Sequence, residues 1–188
     1  PVAVVEETSP GESETLELFA ENVADYRAQV VRVGLSGVAA AVAGALSEHG
    51  CRTVVVPSGL DPSWRAAAEG VARVLSDDEA TTHLARDDVD AVVTASAVGV
   101  ATTGTIVLDH GYDQGRRELT LVPDTHVCVI RADQVVHDVP ESVARLRPGP
   151  DGARPLTWIS GPSATSDIEL ERVEGVHGPR TLVVVLVQ

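Results

Sequence analysis

The sequence predicts an α/β fold, a three-layer, Rossmann-like arrangement with a mixed sheet between helices. Three observations carry that prediction. Helix-period and strand-like runs alternate through residue 95, the order of βαβ units and a parallel core sheet. Apolar residues make up 44% of the chain with Val and Ala dominant, while aromatics are only 3%. Buried parallel strands covered by Ala-rich helices use such small side chains. Finally, 188 residues fit a single domain, 1–188, whose core needs no disulfide or metal staple.

The elements follow in order. Residues 1–11 are acidic and turn-rich, ending Ser9-Pro10-Gly11, and are expected to form a loose N-terminal segment. Over residues 12–33, Leu16, Phe19, Val23, Tyr26, Val30 and Val33 recur at spacings of three and four, which predicts an amphipathic helix. Ser36 can cap a second, Ala-rich helix over 37–49, stopped by Gly50. Residues 53–56 read as a buried strand ended by Pro57-Ser58-Gly59. Pro62 opens a short helix, and 71–75 a short strand. Ser76-Asp77-Asp78-Glu79 has the form of a capping box and predicts a helix to about Arg86.

Residues 91–95 read as another strand, and 101–108 as a Thr-Gly-Thr step running into one. Strands are expected at 119–122 and 126–130, a short helix at 140–146 and a loop at 148–152. The last strands are 156–159 and 181–187. Between 97 and 130 there is little room for helices, so that part should be antiparallel or mixed, a small lobe or sheet edge.

Charge narrows the function. With 28 acidic and 14 basic residues the net charge is −14, which excludes the basic surplus that nucleic acids and anionic membranes require. The basic residues are arginines, so Arg116-Arg117 is a scarce positive point, either an anion contact or a solvated turn. Two isolated cysteines, Cys51 and Cys128, cannot hold a four-cysteine cluster and read as buried free thiols of a reducing compartment. No apolar run is long enough to span a membrane, and no signal peptide is evident, so a cytoplasmic location is expected.

Polar chemistry concentrates near the C-terminus. Ser160-Gly161-Pro162 forces a turn after a strand, and Ser163, Thr165 and Ser166 follow with Asp167 and Glu169. If 167–171 begins a helix, its free N–H groups could bind a small carboxylate or phosphate; plain capping is the alternative. His177, in the tight Gly175-Val-His-Gly178-Pro loop, is a candidate proton shuttle or a histidine bonded to loop backbone. Thr103-Gly104-Thr105 offers hydroxyls and a side-chain-free approach for a ligand, or a β-bulge. The other histidines, His110 among them, show no metal-ligand spacing, and neither a Walker loop, a nucleophile elbow nor a dinucleotide fingerprint occurs.

Taken together, Thr103-Gly104-Thr105-Ile106-Val107-Leu108, Arg117 with Leu121-Val122-Pro123, Gly161-Pro162-Ser163-x-Thr165-x-Asp167-Ile168-Glu169 and Gly175-Val-His177-Gly178-Pro179 resemble the lactate utilization (LUD) domain family. The resemblance implies a fold similar to the sugar-phosphate isomerase and CoA-transferase group. It also implies a subunit of a system that oxidises L-lactate to pyruvate, with iron–sulfur clusters on partner subunits and no cofactor in this chain. Thr103, Gly104, Thr105, Arg117, Gly161, Ser163, Thr165, Asp167, Glu169 and Gly178 would then line one ligand cleft, with His177 as its catalytic group. Thr102 stands where related sequences often carry Glu, so an acid at that point is missing. Two other readings stay open at this stage. One is a non-catalytic assembly module for the iron–sulfur partners; the other is an independent enzyme on a sugar phosphate or CoA ester.

Overall fold

The computed structural model describes residues 11–84, 88–146, 154–162, 164–165, 173–174 and 178–188. The expected loose segment at 1–11 lies outside them except for Gly11, which stands at the start of the first helix, and the loop at 148–152 and the conditional helix at 167–171 lie outside them entirely.

Helix α1 (Glu12–Asp25) leads into strand β1 (Gln29–Val33), and helix α2 (Val38–Glu48) into β2 (Thr53–Val55). Helix α3 (Pro62–Glu69), β3 (Arg73–Leu75), α4 (Asp77–Leu84) and β4 (Ala91–Thr94) follow. Then come β5 (Val98–Val100), β6 (Thr105–Leu108), β7 (Thr125–Arg131), β8 (Val135–Val136) and helix α5 (Val139–Arg145). The chain closes with β9 (Thr157–Ile159), β10 (Ala164–Thr165), β11 (Val173–Glu174) and β12 (Thr181–Val187).

Six strands form one sheet in the order β1-β12-β7-β4-β2-β3, every pair parallel. A second sheet, β8-β5-β6-β9, mixes parallel and antiparallel pairs. Alternation along β7 and β12 divides the core into layers, because successive side chains point to opposite faces. Val127, Val129, Val183 and Val185 meet Val38, Val42 and Leu46 of α2. Cys128, Ile130, Val184 and Leu186 meet Phe19 and Val23 of α1 and Ile106 and Leu108 of the small sheet. The α/β layering and the mixed character expected after residue 97 are both present.

Local signals explain most boundaries. Asp61 caps α3 by accepting from the Ser63 N–H at 2.8 Å, and Pro62 needs no N–H bond there. Ser76 and Glu79 form the expected capping box, with the Ser76 N–H donating to Glu79 at 2.9 Å.

Three expectations need correction. The helix predicted over 12–33 stops at Asp25, Arg27 turns the chain with φ 67°, and Gln29–Val33 pairs with Val183–Val187 instead. Val30 and Val33 fall in helical phase by coincidence, whereas a β-branched run beside a free sheet edge gains ladder hydrogen bonds. Ser36 makes no cap; it lies inside a 3₁₀ turn, Leu35–Gly37, and Gly37 stands at the start of α2. The strand expected at 119–122 is a 3₁₀ turn, Arg117–Thr120, closed by the Thr120 hydroxyl donating to the Arg117 carbonyl at 3.0 Å. The two short strands β5 and β8 were not separately anticipated.

Candidate functional site

The connection from β4 to β7 positions the site. It leaves the carboxyl end of β4, forms β5 and β6, and returns at Asp109 to the same end of the parallel sheet. Residues 109–117 then lie across the carboxyl ends of the strands, the usual ligand side of an open α/β sheet.

This loop is tightly built. The Asp109 N–H donates to Gln114 Oε1 at 2.8 Å, and the Gly111 N–H donates to Asp109 Oδ1 at 3.1 Å. The Gly59 N–H donates to the Tyr112 carbonyl and the Ala95 N–H to the Asp113 carbonyl, each at 3.1 Å. These bonds tie the loop to the ends of β2 and β4. His110 adopts φ 54°, a left-handed conformation that a β-carbon makes unfavourable. Its ring holds that geometry from both sides. Nδ1 lies 3.0 Å from the Gly115 carbonyl, which only accepts, so Nδ1 carries the proton. Nε2 lies 2.9 Å from the Thr157 hydroxyl on β9, which donates to it when the ring is neutral.

Arg116 and Arg117 divide their work. Arg116 pairs with Asp77 and also donates to the Asp77 carbonyl at 3.1 Å, Thr81 at 3.0 Å and Glu118 at 2.9 Å. It clamps the loop onto the start of α4. Arg117 is exposed and borders the cleft.

The cleft has two chambers that share Gly111 and Tyr112. One, about 360 Å³, is walled by Pro57, Tyr112 and Pro155, with Ser58, His110 and Arg117 at its edges. The other, about 570 Å³, carries Arg131, Arg145 and Arg154 with Ser96, Gln114 and Gln134. Asp109 and Asp113 also border it, and Asp109 lies 3.6 Å from Arg154. Counting Arg116, five of the chain's 14 basic residues line this cleft.

The residues singled out by motif fall differently. Thr103, Thr105 and Ser160 do come together: Thr105 Oγ1 lies 2.8 Å from the hydroxyls of both Thr103 and Ser160. Thr105 is buried. Gly104 and Gly161 accept the approach of α1 here. A β-carbon at Gly104 would lie 2.5 Å from the Asn22 backbone, and one at Gly161 would lie 2.6 Å from Tyr26 Cβ. The Asn22 side chain completes the joint by donating to the Ala101 carbonyl at 2.8 Å. Thr102 is exposed and its N–H donates to the His137 carbonyl at 3.0 Å.

Thr105 begins β6 whereas Leu108 ends it beside the cleft, about 10 Å away at the rise of a strand. Arg117 therefore stands with the cleft and not with the Thr-Gly-Thr step. Thr165 pairs with Val173 across β10 and β11, and Gly178 has φ 111°. Ser163, Asp167, Glu169 and His177 lie outside the described residues. Sequence reasoning passed over His110, Tyr112 and the three chamber arginines. The available signal was the polar, glycine-spaced run from Asp109 to Arg117 between two strands.

Beneath the cleft, β4 and β7 bury a polar chain. His126 Nε2 lies 2.8 Å from Thr94 Oγ1, which donates to Cys128 Sγ at 3.7 Å. The thiol donates to the Ala95 carbonyl at 3.8 Å. The directions agree if Nε2 carries a proton and the thiol stays neutral. Burial keeps the ring and the thiol neutral, lowering the His126 pKa to about 4 and pushing the Cys128 thiol up to about 12. Burial also raises the Cys51 thiol. Neither cysteine should therefore react with iodoacetamide at pH 8 in the native protein, while both should react in denaturant. Labelling of native Cys128 at the rate of a free thiol would contradict this arrangement.

An open parallel sheet flanked by helices, with an arginine-lined cleft across its carboxyl ends, defines an α/β domain. The chain belongs to the LUD domain family, which matches residues 16–187. It is 46% identical to Lactate utilization protein C of Deinococcus radiodurans, over 93% of this chain and 80% of that one. Lactate utilization protein C of Geobacillus thermodenitrificans is 30% identical over 73% of this chain and 65% of its own. The fold superimposes on the crystal structure of a DUF162 family protein from Deinococcus radiodurans with a TM-score of 0.77 and 41% identity. That match covers 95% of this chain and 99% of the other. Among the described residues, no helix is long and apolar enough to cross a membrane.

Proposed function

We propose that this chain serves lactate utilization as a subunit of a cytoplasmic system that oxidises L-lactate to pyruvate, with the iron–sulfur clusters on partner subunits. In this reading it binds a small organic anion in the cleft at the carboxyl ends of the strands. The relatives' names support the pathway. The observation that carries the site is the gathering of Arg131, Arg145 and Arg154 in one chamber of a chain whose net charge is −14, with Arg131 also paired to Asp133 at 3.0 Å and Arg154 3.6 Å from Asp109. Like charges gathered on a protein of opposite sign focus a local field that attracts an anion. Arginine forks suit carboxylates because two parallel N–H bonds match the two oxygens.

The clamp of Arg116 on Asp77 keeps the loop and Arg117 in place. His110 sits at the edge of the smaller chamber with its tautomer fixed by Gly115 and Thr157. There its ring, both nitrogens engaged, holds the loop and the start of β9 together at the chamber's edge.

The test is a pair of exposed substitutions, Arg145→Ala with Arg154→Ala. Each lost charge-assisted bond is worth roughly 1.5–3 kcal/mol, so affinity for L-lactate or pyruvate by calorimetry should fall at least about tenfold. Turnover of the reconstituted system should fall with it, while the melting temperature stays put. Unchanged binding and turnover would refute the cleft as the site. Intact binding with failed assembly would favour the assembly-module reading instead.

A further inference from the structure

We infer that the cleft takes a ligand of the mononucleotide class, with a planar heteroaromatic ring in the Tyr112 hollow and its phosphate in the arginine chamber. The inference rests on the anion-binding reading above and names a ligand class for that same cleft. Four observations carry it.

The first is size. The two hollows, about 360 and 570 Å³ and open to solvent, each offer more room than a three-carbon acid fills. Lactate alone would leave most of the cleft to water. The second is the chemistry of the walls. The smaller chamber is an open hollow bordered by Pro57, Pro155 and Tyr112, with Gly111 and Gly115 adding no side chain. Asp77, Arg116 and Arg117 also line it, so a ring lodged against the prolines and Tyr112 would have charged groups at its margin. The larger chamber sets three arginines against Asp109 and Asp113.

The third is Tyr112 itself. The chain has five aromatic residues, and this one is 76% exposed. It is also held. A β-carbon at Gly59 would lie 2.0 Å from the Tyr112 ring, so the ring rests directly on the Gly59 backbone, and the Gly59 N–H bonds the Tyr112 carbonyl. A fixed ring with one side supported and the rest open to the cleft is a stacking platform, and stacking tolerates any base because every base has a π-face. The fourth is continuity. Gly111 and Tyr112 border both chambers, so one molecule can place its ring on one side of them and its phosphate on the other.

The experiment compares AMP, ribose 5-phosphate, inorganic phosphate and L-lactate by calorimetry on the full chain. AMP should bind at least about tenfold tighter than ribose 5-phosphate, the share that ring stacking supplies. Tyr112→Leu should bring AMP to the affinity of ribose 5-phosphate and leave the latter unchanged. Tyr112→Phe should retain the AMP preference, which separates the ring from the hydroxyl. Because Tyr112 is exposed, unchanged thermal melting of both variants confirms that they fold. Equal affinity for AMP and ribose 5-phosphate, or an AMP affinity indifferent to Tyr112→Leu, overturns this inference. If phosphate or lactate still binds in that case, the anion reading survives on its own. Binding of AMP without lactate supports the nucleotide class and removes lactate from the site. No binding of any of the four overturns both.

Discussion

Gly104→Ala is expected to lower the midpoint of thermal unfolding by about 10 °C, because the position is buried where the turn before β6 meets α1. Two costs act at once. Gly104 has φ 56°, where a side chain adds roughly 1 kcal/mol of backbone strain. The new methyl would also meet the Asn22 backbone at 2.5 Å and the Val23 nitrogen at 2.7 Å. Backbone atoms of a helix cannot step aside as a side-chain tip can. Either α1 shifts, which disturbs the Phe19 and Val23 contacts with the sheet, or the 3₁₀ turn Ala101–Thr103 moves and loses the Asn22 bond to the Ala101 carbonyl. A combined loss of about 3 kcal/mol corresponds to roughly 10 °C for a domain of this size.

Gly50→Ala supplies the control. Gly50 has nearly the same dihedral, φ 63°, but open space where the methyl would go. It should lose only the strain, about 1 kcal/mol and roughly 3 °C. Calorimetric scans of both variants decide the matter. Equal shifts would mean that the helix yields freely and that Gly104 is a turn glycine with no packing role.

That contrast shows what the sequence could and could not reveal. The periodic segments were legible because their signals are local. Asp61-Pro62 and the Ser76–Glu79 box mark helix starts through hydrogen bonds within a few residues. The Val-rich runs of β2, β4, β7 and β12 are apolar on both faces, as buried parallel strands must be. The failure at residues 26–33 has a different origin. Tyr26, Val30 and Val33 continue the helical spacing, and only pairing with β12, some 150 residues later, makes that stretch a strand. Gly104 was read as an opening for a ligand because a sequence shows that a residue is small, not what approaches it. The cleft arginines were illegible for a related reason. Arg131, Arg145 and Arg154 end a strand, end a helix and precede another strand, and only the return of the chain after β6 brings the 109–117 loop over them.

The largest expected response to solution conditions concerns His126. The native protein should lose about 2 kcal/mol of stability between pH 7 and pH 5 through this single residue. The sign follows from linkage. In the unfolded chain the histidine protonates near pH 6.5, whereas in the folded protein burial holds it neutral down to about pH 4. Above pH 6.5 both states are neutral and the residue has no pH-dependent effect. As pH falls from 6.5 toward 4, the unfolded state takes up a proton that the native state refuses, and stability declines. Below about pH 4 the native ring protonates too, and the loss levels off near 3 kcal/mol. The polar chain amplifies the penalty. An imidazolium there would be a charge fully buried beside Val92, Thr94 and Cys128, with the neutral Thr94 hydroxyl as the partner of its Nε2. His126→Gln keeps a side-chain amide able to bond Thr94 but cannot titrate. Urea unfolding of the two proteins at pH 7, 6 and 5 isolates the effect, because every other titrating group is common to both. The wild-type curve should fall about 2 kcal/mol further than the variant's over that interval. Parallel curves would show that His126 takes a proton in the folded state as readily as in the unfolded chain, and that burial does not hold the ring neutral.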